Sequence, residues 1–144
     1  MCGIVLKIDE FEYYVPLSSY KEQKSENFLI IFEDDKYNKI KGLLRFNFMI
    51  PVPKDCIKER IINDEKDIGR KIFLQKQLEF INKNIDTIKN RAKRTYLRVI
   101  NNYNPHLTKN SCDFKFLEEK CGEYILSSNE YIAATNEKED NMEE

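Results

Sequence analysis

The fold is decided at the beginning of the chain by the sequence GIVLKIDEFEYYVPL, residues 3–17. Residues 4–8 are an apolar run of the kind that forms a buried strand, and residues 11–17 have the composition of a second strand. The sequence Asp9-Glu10 between them favours a turn. The segment therefore predicts a β-hairpin, whose second strand leads directly into the polar sequence Ser18-Ser19-Tyr20-Lys21.

Two more apolar runs predict strands, at residues 28–32 and 43–49. Because side chains alternate between the two faces of a strand, Leu44, Phe46 and Phe48 should share one face of the second run. Arg45 and Asn47 should share the opposite face. The prolines that follow should end the pairing or confine it to a sheet edge.

The second half of the chain has helical periodicity instead. Apolar residues three or four positions apart predict one helix from Ile68 and a second that ends before Pro105, with a break at residues 82–84. Leu74 and Leu78 mark the apolar face of the first helix. The apolar face of the second helix comprises Ile85, Ile88, Ala92, Tyr96, Val99 and Tyr103.

A short last helix is predicted after Ser111, a good N-cap residue, with its end at Gly122. Residues 127–144 are acidic and are predicted to form a disordered tail. The remainder, residues 1–126, is long enough for a single domain with its own core. Since strands precede helices rather than alternate with them, the predicted class is α+β: a curved antiparallel sheet or partial barrel with packed helices.

The net charge of −1 conceals an uneven distribution. Between Gly69 and Lys109 there are ten lysines or arginines and two acidic residues, whereas residues 137–144 contain five acids and one lysine. The basic residues that cover one face of the second helix are Lys89, Arg91, Lys93, Arg94 and Arg98. Such a face attracts polyanions, RNA above all, although an ordinary solvated helix face has the same composition.

The cysteines and the histidine argue against a metal site. Cys2, Cys56, Cys112 and Cys121 are not spaced as zinc ligands, and His106 is the single histidine. We therefore expect free thiols, no metal and no cofactor. No apolar run approaches the roughly 20 residues of a membrane span, and no signal peptide is evident, so we expect a cytoplasmic protein that does not contact a membrane.

Ser18, Ser19 and Lys21 have the most suitable chemistry for a reaction. RNA can be cut without a metal when its 2′-hydroxyl attacks the neighbouring phosphate, which requires alignment, stabilisation of the phosphorane charge and a proton for the leaving 5′-oxygen. A lysine can supply charge and proton, and two hydroxyls can hold phosphate oxygens. This pattern alone is common in surface loops. Stacking on bases is open to Tyr13, Tyr14, Tyr20, Tyr37, Tyr96 and Tyr103. Most of these are expected to be core or boundary aromatics, and Tyr20 is the exception because it lies in this loop.

Five stretches of the chain occur in an order typical of one protein family. They are residues 3–6, residues 15–21 with the hairpin before them, residues 42–44 with 47–52, residues 74–81 and residues 112–120. In sequence and order they resemble the RNA-cleaving toxins of type III toxin–antitoxin systems, the ToxN/AbiQ family. The resemblance extends over nearly the whole chain.

The resemblance implies a curved sheet like that of MazF/Kid toxins, with added helices. It also implies a metal-independent endoribonuclease that favours adenine-rich sites and leaves a 2′,3′-cyclic phosphate and a 5′-hydroxyl. By position, Ser18 and Ser19 match the family's Thr/Ser-Ser pair and Lys21 matches its catalytic lysine, while Tyr20 replaces a common proline. The residues then expected to contact RNA are Tyr20, Lys24, Arg45, Asn47 and the five basic residues of the second helix.

The partners implied are a target RNA and a repeated pseudoknot RNA antitoxin, which closes toxin and RNA into a ring-like assembly. Family members usually have a further strand and helix before the glycine strand, so the resemblance implies either a start upstream of Met1 or a shortened product.

Two alternative functions stay open. One is a non-catalytic RNA-binding remnant of such a toxin. The other, ranked last, is a helical DNA-binding regulator, which would explain the basic helix but not the strands.

Overall fold

The structure, a computed structural model, describes residues 2–19 and 27–142. In this part of the chain the strands are β1 (Gly3–Ile8), β2 (Phe11–Ser18), β3 (Asn27–Ile31), β4 (Ile40–Arg45) and β5 (Ile50–Pro51). The α-helices are α1 (Ile68–Lys83), α2 (Ile85–Ile100), α3 (Pro105–Lys109) and α4 (Phe114–Met142). Short 3-10 helices occur at Phe46–Phe48, Lys54–Cys56 and Ile62–Asp64. This order confirms the predicted α+β class.

The first two strands form the predicted hairpin. Ile8 pairs with Phe11 across a turn in which Asp9 has a φ of 53°, the left-handed conformation that tight two-residue hairpin turns require. Along β2, Tyr13 and Val15 are fully buried. Tyr14, which lies between them, therefore faces the opposite side of the strand, and Pro16 and Ser18 follow it on that side.

The sheet is built around β2. This strand pairs with β1 and β5 along its first part and with β4 at Leu17 and Ser18, and β4 pairs in turn with β3. All pairs are antiparallel, in the order β1-β2-β4-β3 with β5 also against β2. Because β2 changes partners along its length, and a register shift lies between Ile30 and Ile31, the sheet curls rather than staying flat.

Helices α2 and α4 pack on the buried side of β2 through three aromatic rings. Tyr13 meets Tyr96 of α2 and Phe114 of α4 edge-on, at centroid distances of 5.8 and 5.9 Å. Tyr96 and Phe114 stack on each other at 5.6 Å. The hydroxyl of Tyr96 donates to the carboxylate of the buried Glu118 at 2.5 Å. This cluster fixes the position of β2 relative to both helices.

The prediction of a strand over residues 43–49 is wrong in its second half. β4 ends at Arg45, and the chain continues as a 3-10 helix in which Phe46 is 1% exposed and Phe48 is 40% exposed. The two phenylalanines therefore do not share a face. The cause is a long-range contact: the backbone N–H of Cys112 donates to the carbonyl of Asn47 at 2.9 Å, so this segment follows the linker before α4 instead of a neighbouring strand.

The helix break predicted at residues 82–84 is confirmed, since α1 and α2 are separated at Asn84. The apolar face predicted for α1 is wrong at Leu78, which is exposed. Gln77 is buried in its place, and its side-chain amide donates to the carbonyl of Lys41 at 2.7 Å. A polar contact thus holds α1 against the sheet, which hydrophobic periodicity cannot reveal.

The last helix is longer than predicted. Gly122 lies inside α4, which continues to Met142, so residues 127–142 of the expected disordered tail are helical. One glycine costs a helix only about 1 kcal/mol and does not by itself end it. The domain boundary expected at residue 126 falls within this continuous helix. The N-cap is Asp113, whose carboxylate accepts a backbone N–H, and not Ser111.

Replacing Gly3 tests how closely β1 packs on β2. A Cβ there would lie 2.3 Å from the carbonyl oxygen of Val15 and 2.6 Å from a ring carbon of Tyr14, so Gly3→Ala should destabilise the fold by about 1–3 kcal/mol. The matched control is Gly122→Ala, whose Cβ would meet nothing within 4 Å and which should stabilise α4 by about 0.5–1 kcal/mol. Urea unfolding followed by circular dichroism measures both, and an unchanged stability for Gly3→Ala would contradict this packing.

Candidate active site

The candidate site lies on the side of β2 that faces away from the core. Tyr14, Pro16 and Ser18 alternate with the two fully buried residues of the strand, so the strand period places them together on the opposite side. Ser18 is the last strand residue and is paired with β4. Ser19 follows it and is exposed. The structure thus holds the first of the predicted serines in the sheet and presents the second at its edge.

These residues form one wall of a groove of about 520 Å³. Leu17 and Ser19 complete this wall, and Arg45, Phe48 and Ile50 line the groove as well. Most of the lining is apolar, and the polar side-chain groups that the described residues contribute to it are two serine hydroxyls, one phenol and one guanidinium. Apolar walls with a few placed polar groups are the usual composition of a site that binds a small molecule or a nucleotide.

Arg45 lines the groove together with Phe48. The guanidinium carbon of Arg45 lies 4.4 Å from the ring centroid of Phe48, a close cation–π contact. The Nε atom of Arg45 is buried and has no hydrogen-bond partner within the described part of the chain. Phe48 was not predicted as a groove residue, because the alternating apolar pattern predicts a continuous strand there.

Tyr14 is a further groove residue that the sequence analysis named only among several tyrosines. Its hydroxyl is buried and unpartnered among residues 2–19 and 27–142. Burial raises the pKa of this hydroxyl, and the nearby Cys2 raises it further, so the phenol is neutral at physiological pH and can donate a hydrogen bond. The signal that could have identified Tyr14 is its alternation with Tyr13 and Val15 on a strand that ends at the two serines.

Asn47 is placed elsewhere. The side-chain amide of Asn47 donates to the backbone carbonyl of Asn110 at 3.0 Å, and the backbone carbonyl of Asn47 accepts from the backbone N–H of Cys112. It is absent from the groove lining. These contacts tie the 3-10 helix after β4 to the linker before α4, so Asn47 holds the neighbouring Phe48 in position.

The basic residues of α2 form a separate surface. Lys89, Arg91, Lys93 and Arg94 are exposed and Arg98 is half-buried, on the side of the helix opposite its buried stripe. None of the five lines the groove. The guanidinium of Arg91 lies 5.2 Å from the ring centroid of Phe28, so this basic face contacts β3 at that residue.

Three of the predicted residues, Tyr20, Lys21 and Lys24, lie outside the described residues. Ser19 is the last described residue before them, and Asn27 is the first after them, where β3 begins opposite Arg45. The described residues on either side of this segment are therefore a groove residue, Ser19, and the strand partner of another groove residue, Asn27.

A second, smaller groove of about 260 Å³ lies between α1 and the end of β3. Its lysines are already paired: Lys76 contacts Asp34 at 2.5 Å, and Lys83 contacts Glu33. Both lysines therefore have carboxylate partners within the groove, and its lining contains none of the predicted site residues.

Neither a metal cluster nor a membrane span is found in the described ranges. No group of three or more histidine, cysteine, aspartate or glutamate side chains there could hold a metal ion. Among the helices of residues 2–19 and 27–142, none combines the length and the apolarity of a transmembrane segment.

Comparison with known proteins finds relatives that are named endoribonucleases. The Endoribonuclease AbiQ of Lactococcus lactis subsp. lactis is 31% identical over 136 residues, which cover 88% of this chain and 73% of that protein. The Endoribonuclease ToxN of Bacillus thuringiensis subsp. kurstaki is 32% identical over 129 residues, which cover 85% of this chain and 66% of that protein.

A solved structure of a type III toxin, selectively inhibited by a non-coding RNA pseudoknot, superposes on this fold with a TM-score of 0.72. The two are 32% identical, and the match covers 85% of this chain and 77% of that chain. The shared fold confirms the predicted curved antiparallel sheet with packed helices. The family model described as toxin ToxN of the type III toxin–antitoxin system matches residues 1–122, and the chain therefore belongs to the ToxN toxin family.

Proposed function

We propose that the chain is an endoribonuclease toxin that cuts RNA in the groove beside Ser18 and Ser19 without a metal ion. The observation that carries the proposal is the groove itself, where two serines at a strand end and the guanidinium of Arg45 line the same space in a member of the ToxN family. The AbiQ and ToxN relatives are named endoribonucleases, which supports the same activity here.

In the proposed reaction the 2′-hydroxyl of the RNA attacks the adjacent phosphorus, and the bond to the 5′-oxygen breaks. The hydroxyls of Ser18 and Ser19 donate to non-bridging oxygens and keep the phosphate in line with the attack. Lys21 and Arg45 offset the charge that develops on the phosphorane. The 2′-hydroxyl loses its proton to solvent as it attacks, the ammonium of Lys21 gives a proton to the leaving 5′-oxygen, and solvent reprotonates the lysine. The products are a 2′,3′-cyclic phosphate and a 5′-hydroxyl.

We further propose that an RNA, rather than a protein, is the antitoxin. A non-coding RNA pseudoknot inhibits the toxin of the matched solved structure. In this chain the exposed cations of α2 provide a surface for RNA phosphates outside the groove. A repeated pseudoknot RNA bound there would join toxins into a ring-like assembly. The family resemblance also favours adenine-rich target sites.

Replacing Lys21 tests the mechanism. Lys21→Ala should abolish growth arrest on expression in bacteria and slow RNA cleavage by roughly 10²–10³-fold, as expected for the loss of one charge-stabilising donor. Lys36→Ala is the matched control, because Lys36 is exposed in the turn after β3, at the opposite end of the β3–β4 pair from Arg45. Circular dichroism verifies that both variants fold. Full toxicity of Lys21→Ala would refute the mechanism, and RNA binding without cleavage by the unaltered chain would favour a non-catalytic RNA-binding protein.

Chelation tests the absence of a metal requirement. Cleavage should persist in excess EDTA, because every group in the proposed reaction belongs to a side chain or to the RNA itself. Mass spectrometry of the products should detect cyclic phosphate and 5′-hydroxyl ends. Activity that is lost in EDTA and restored by Mg²⁺, or products with 5′-phosphate ends, would exclude this chemistry.

The basic face of α2 is tested by removing two of its charges. Lys93→Gln with Arg94→Gln should weaken binding of a long single-stranded RNA and lower the slope of log affinity against log salt by about 0.7 per charge. Cleavage of a short oligonucleotide should change little, since neither residue lines the groove. Lys36→Gln with Lys39→Gln removes the same charge from the turn after β3 and is the control. An equal loss of affinity in both pairs would mean that only net charge matters.

A further inference from the structure

We propose that Arg45 and Phe48 form a stacking platform for one unpaired nucleobase next to the scissile phosphate, so that the RNA must be single-stranded at that position. This inference rests on the proposed function and adds residues that bind a base rather than a phosphate.

The composition of the groove indicates a base as the occupant of its apolar part. Pro16, Leu17, Phe48 and Ile50 form an apolar surface beside the two serines. A phosphate against this surface would lose its hydration without gaining hydrogen bonds. The flat face of a nucleobase is apolar and gains from such a surface. The phosphate therefore belongs at Ser18 and Ser19, and an adjacent base belongs at the apolar part.

The 3-10 helix after β4 creates the platform. Residues three positions apart eclipse each other in a 3-10 helix, so a side chain at the position before the first turn lies over the side chain at its end. Arg45 and Phe48 have this spacing, and the guanidinium lies 4.4 Å from the ring centroid. Phe48 remains 40% exposed, although Phe46 in the same turn is buried. Aromatic rings and guanidinium planes are the groups on which unstacked RNA bases lie.

One donor beside the platform can recognise the edge of a base. Tyr14 lines the groove, and its buried hydroxyl has no partner in the described part of the chain. A buried donor that lacks a partner is costly, and a bound acceptor removes that cost. A nucleobase has ring-nitrogen and carbonyl acceptors at its edge, whereas an aliphatic ligand of the same size has none.

The test uses RNA that binds but is not cut. The cleavage position is mapped first, and a short single-stranded RNA is then made with a 2′-deoxy sugar there, which removes the attacking hydroxyl. Two further probes each carry an abasic site, one on either side of the scissile phosphate. Fluorescence anisotropy measures the affinity of the unaltered chain and of Phe48→Leu, Phe48→Tyr and Phe116→Leu for all three probes. Phe116 is an exposed phenylalanine on α4 that does not line the groove.

The unaltered chain should bind the intact probe about ten-fold more tightly than one of the abasic probes, the usual effect of losing one stacked base. Phe48→Leu should bind these two probes equally, whereas Phe48→Tyr and Phe116→Leu should keep the preference. If Phe48→Leu keeps the full preference while all proteins bind RNA, the platform is refuted and the proposed function is unaffected. If the unaltered chain binds none of the probes, the proposed function fails and the platform fails with it.

Discussion

The side chains of β2 alternate between the two faces of the strand, and both the core and the groove depend on this alternation. Tyr13 and Val15 are fully buried, while Tyr14, Pro16 and Ser18 line the groove. A shift of one residue in the pairing would exchange the two sets, moving the core residues to the groove and the groove residues to the core. The hydrogen bonds of β2 to β1, β4 and β5 oppose that shift. The groove is therefore as well defined as the core.

The helices support the site from the other side of the strand. The aromatic cluster of Tyr13, Tyr96 and Phe114 joins β2 to α2 and α4. Its polar end is the buried carboxylate of Glu118, which accepts from the hydroxyl of Tyr96 and has the ammonium of Lys115 at 3.6 Å. Burial, and secondarily this carboxylate, raise the pKa of Tyr96, so its hydroxyl remains a donor. In the part of the chain that the structure describes, no α-helix contributes a side chain to the groove, yet α2 and α4 determine where β2 lies.

The parts of the fold that could be predicted have local signals. The hairpin and the buried stripe of α2 follow from the spacing of apolar residues. The prediction is wrong at Tyr103, which lies beyond the end of α2 and is exposed. The 3-10 helix at Phe46–Phe48 could not be predicted, because it depends on a hydrogen bond between Asn47 and the distant Cys112. Gln77 was missed for the same reason, since its partner is a carbonyl on β4.

Ser18 and Ser19 could not be identified as site residues from their chemistry alone, because serines are common in surface loops. Family resemblance selected them, and the structure puts both in the groove. Lys21, the residue on which most of the proposed mechanism depends, was likewise selected by resemblance and stays a prediction. Phe48 could not be predicted as a groove residue. The alternating pattern put it on one face with Leu44 and Phe46, whereas the hydrogen bond of Asn47 to the distant Cys112 turns the chain and leaves Phe48 in the groove lining.

The close approach of Gly3 to Tyr14 has a consequence for genetics. Any side chain at position 3 must displace either the carbonyl of Val15 or the ring of Tyr14, and that ring forms part of the groove wall. If survivors of toxin expression were selected, changes at Gly3 would appear among them beside changes in the groove itself. Such a screen would classify a residue without a functional group as an active-site residue. Gly3 matters because its lack of a side chain leaves room for the carbonyl of Val15 and the ring of Tyr14.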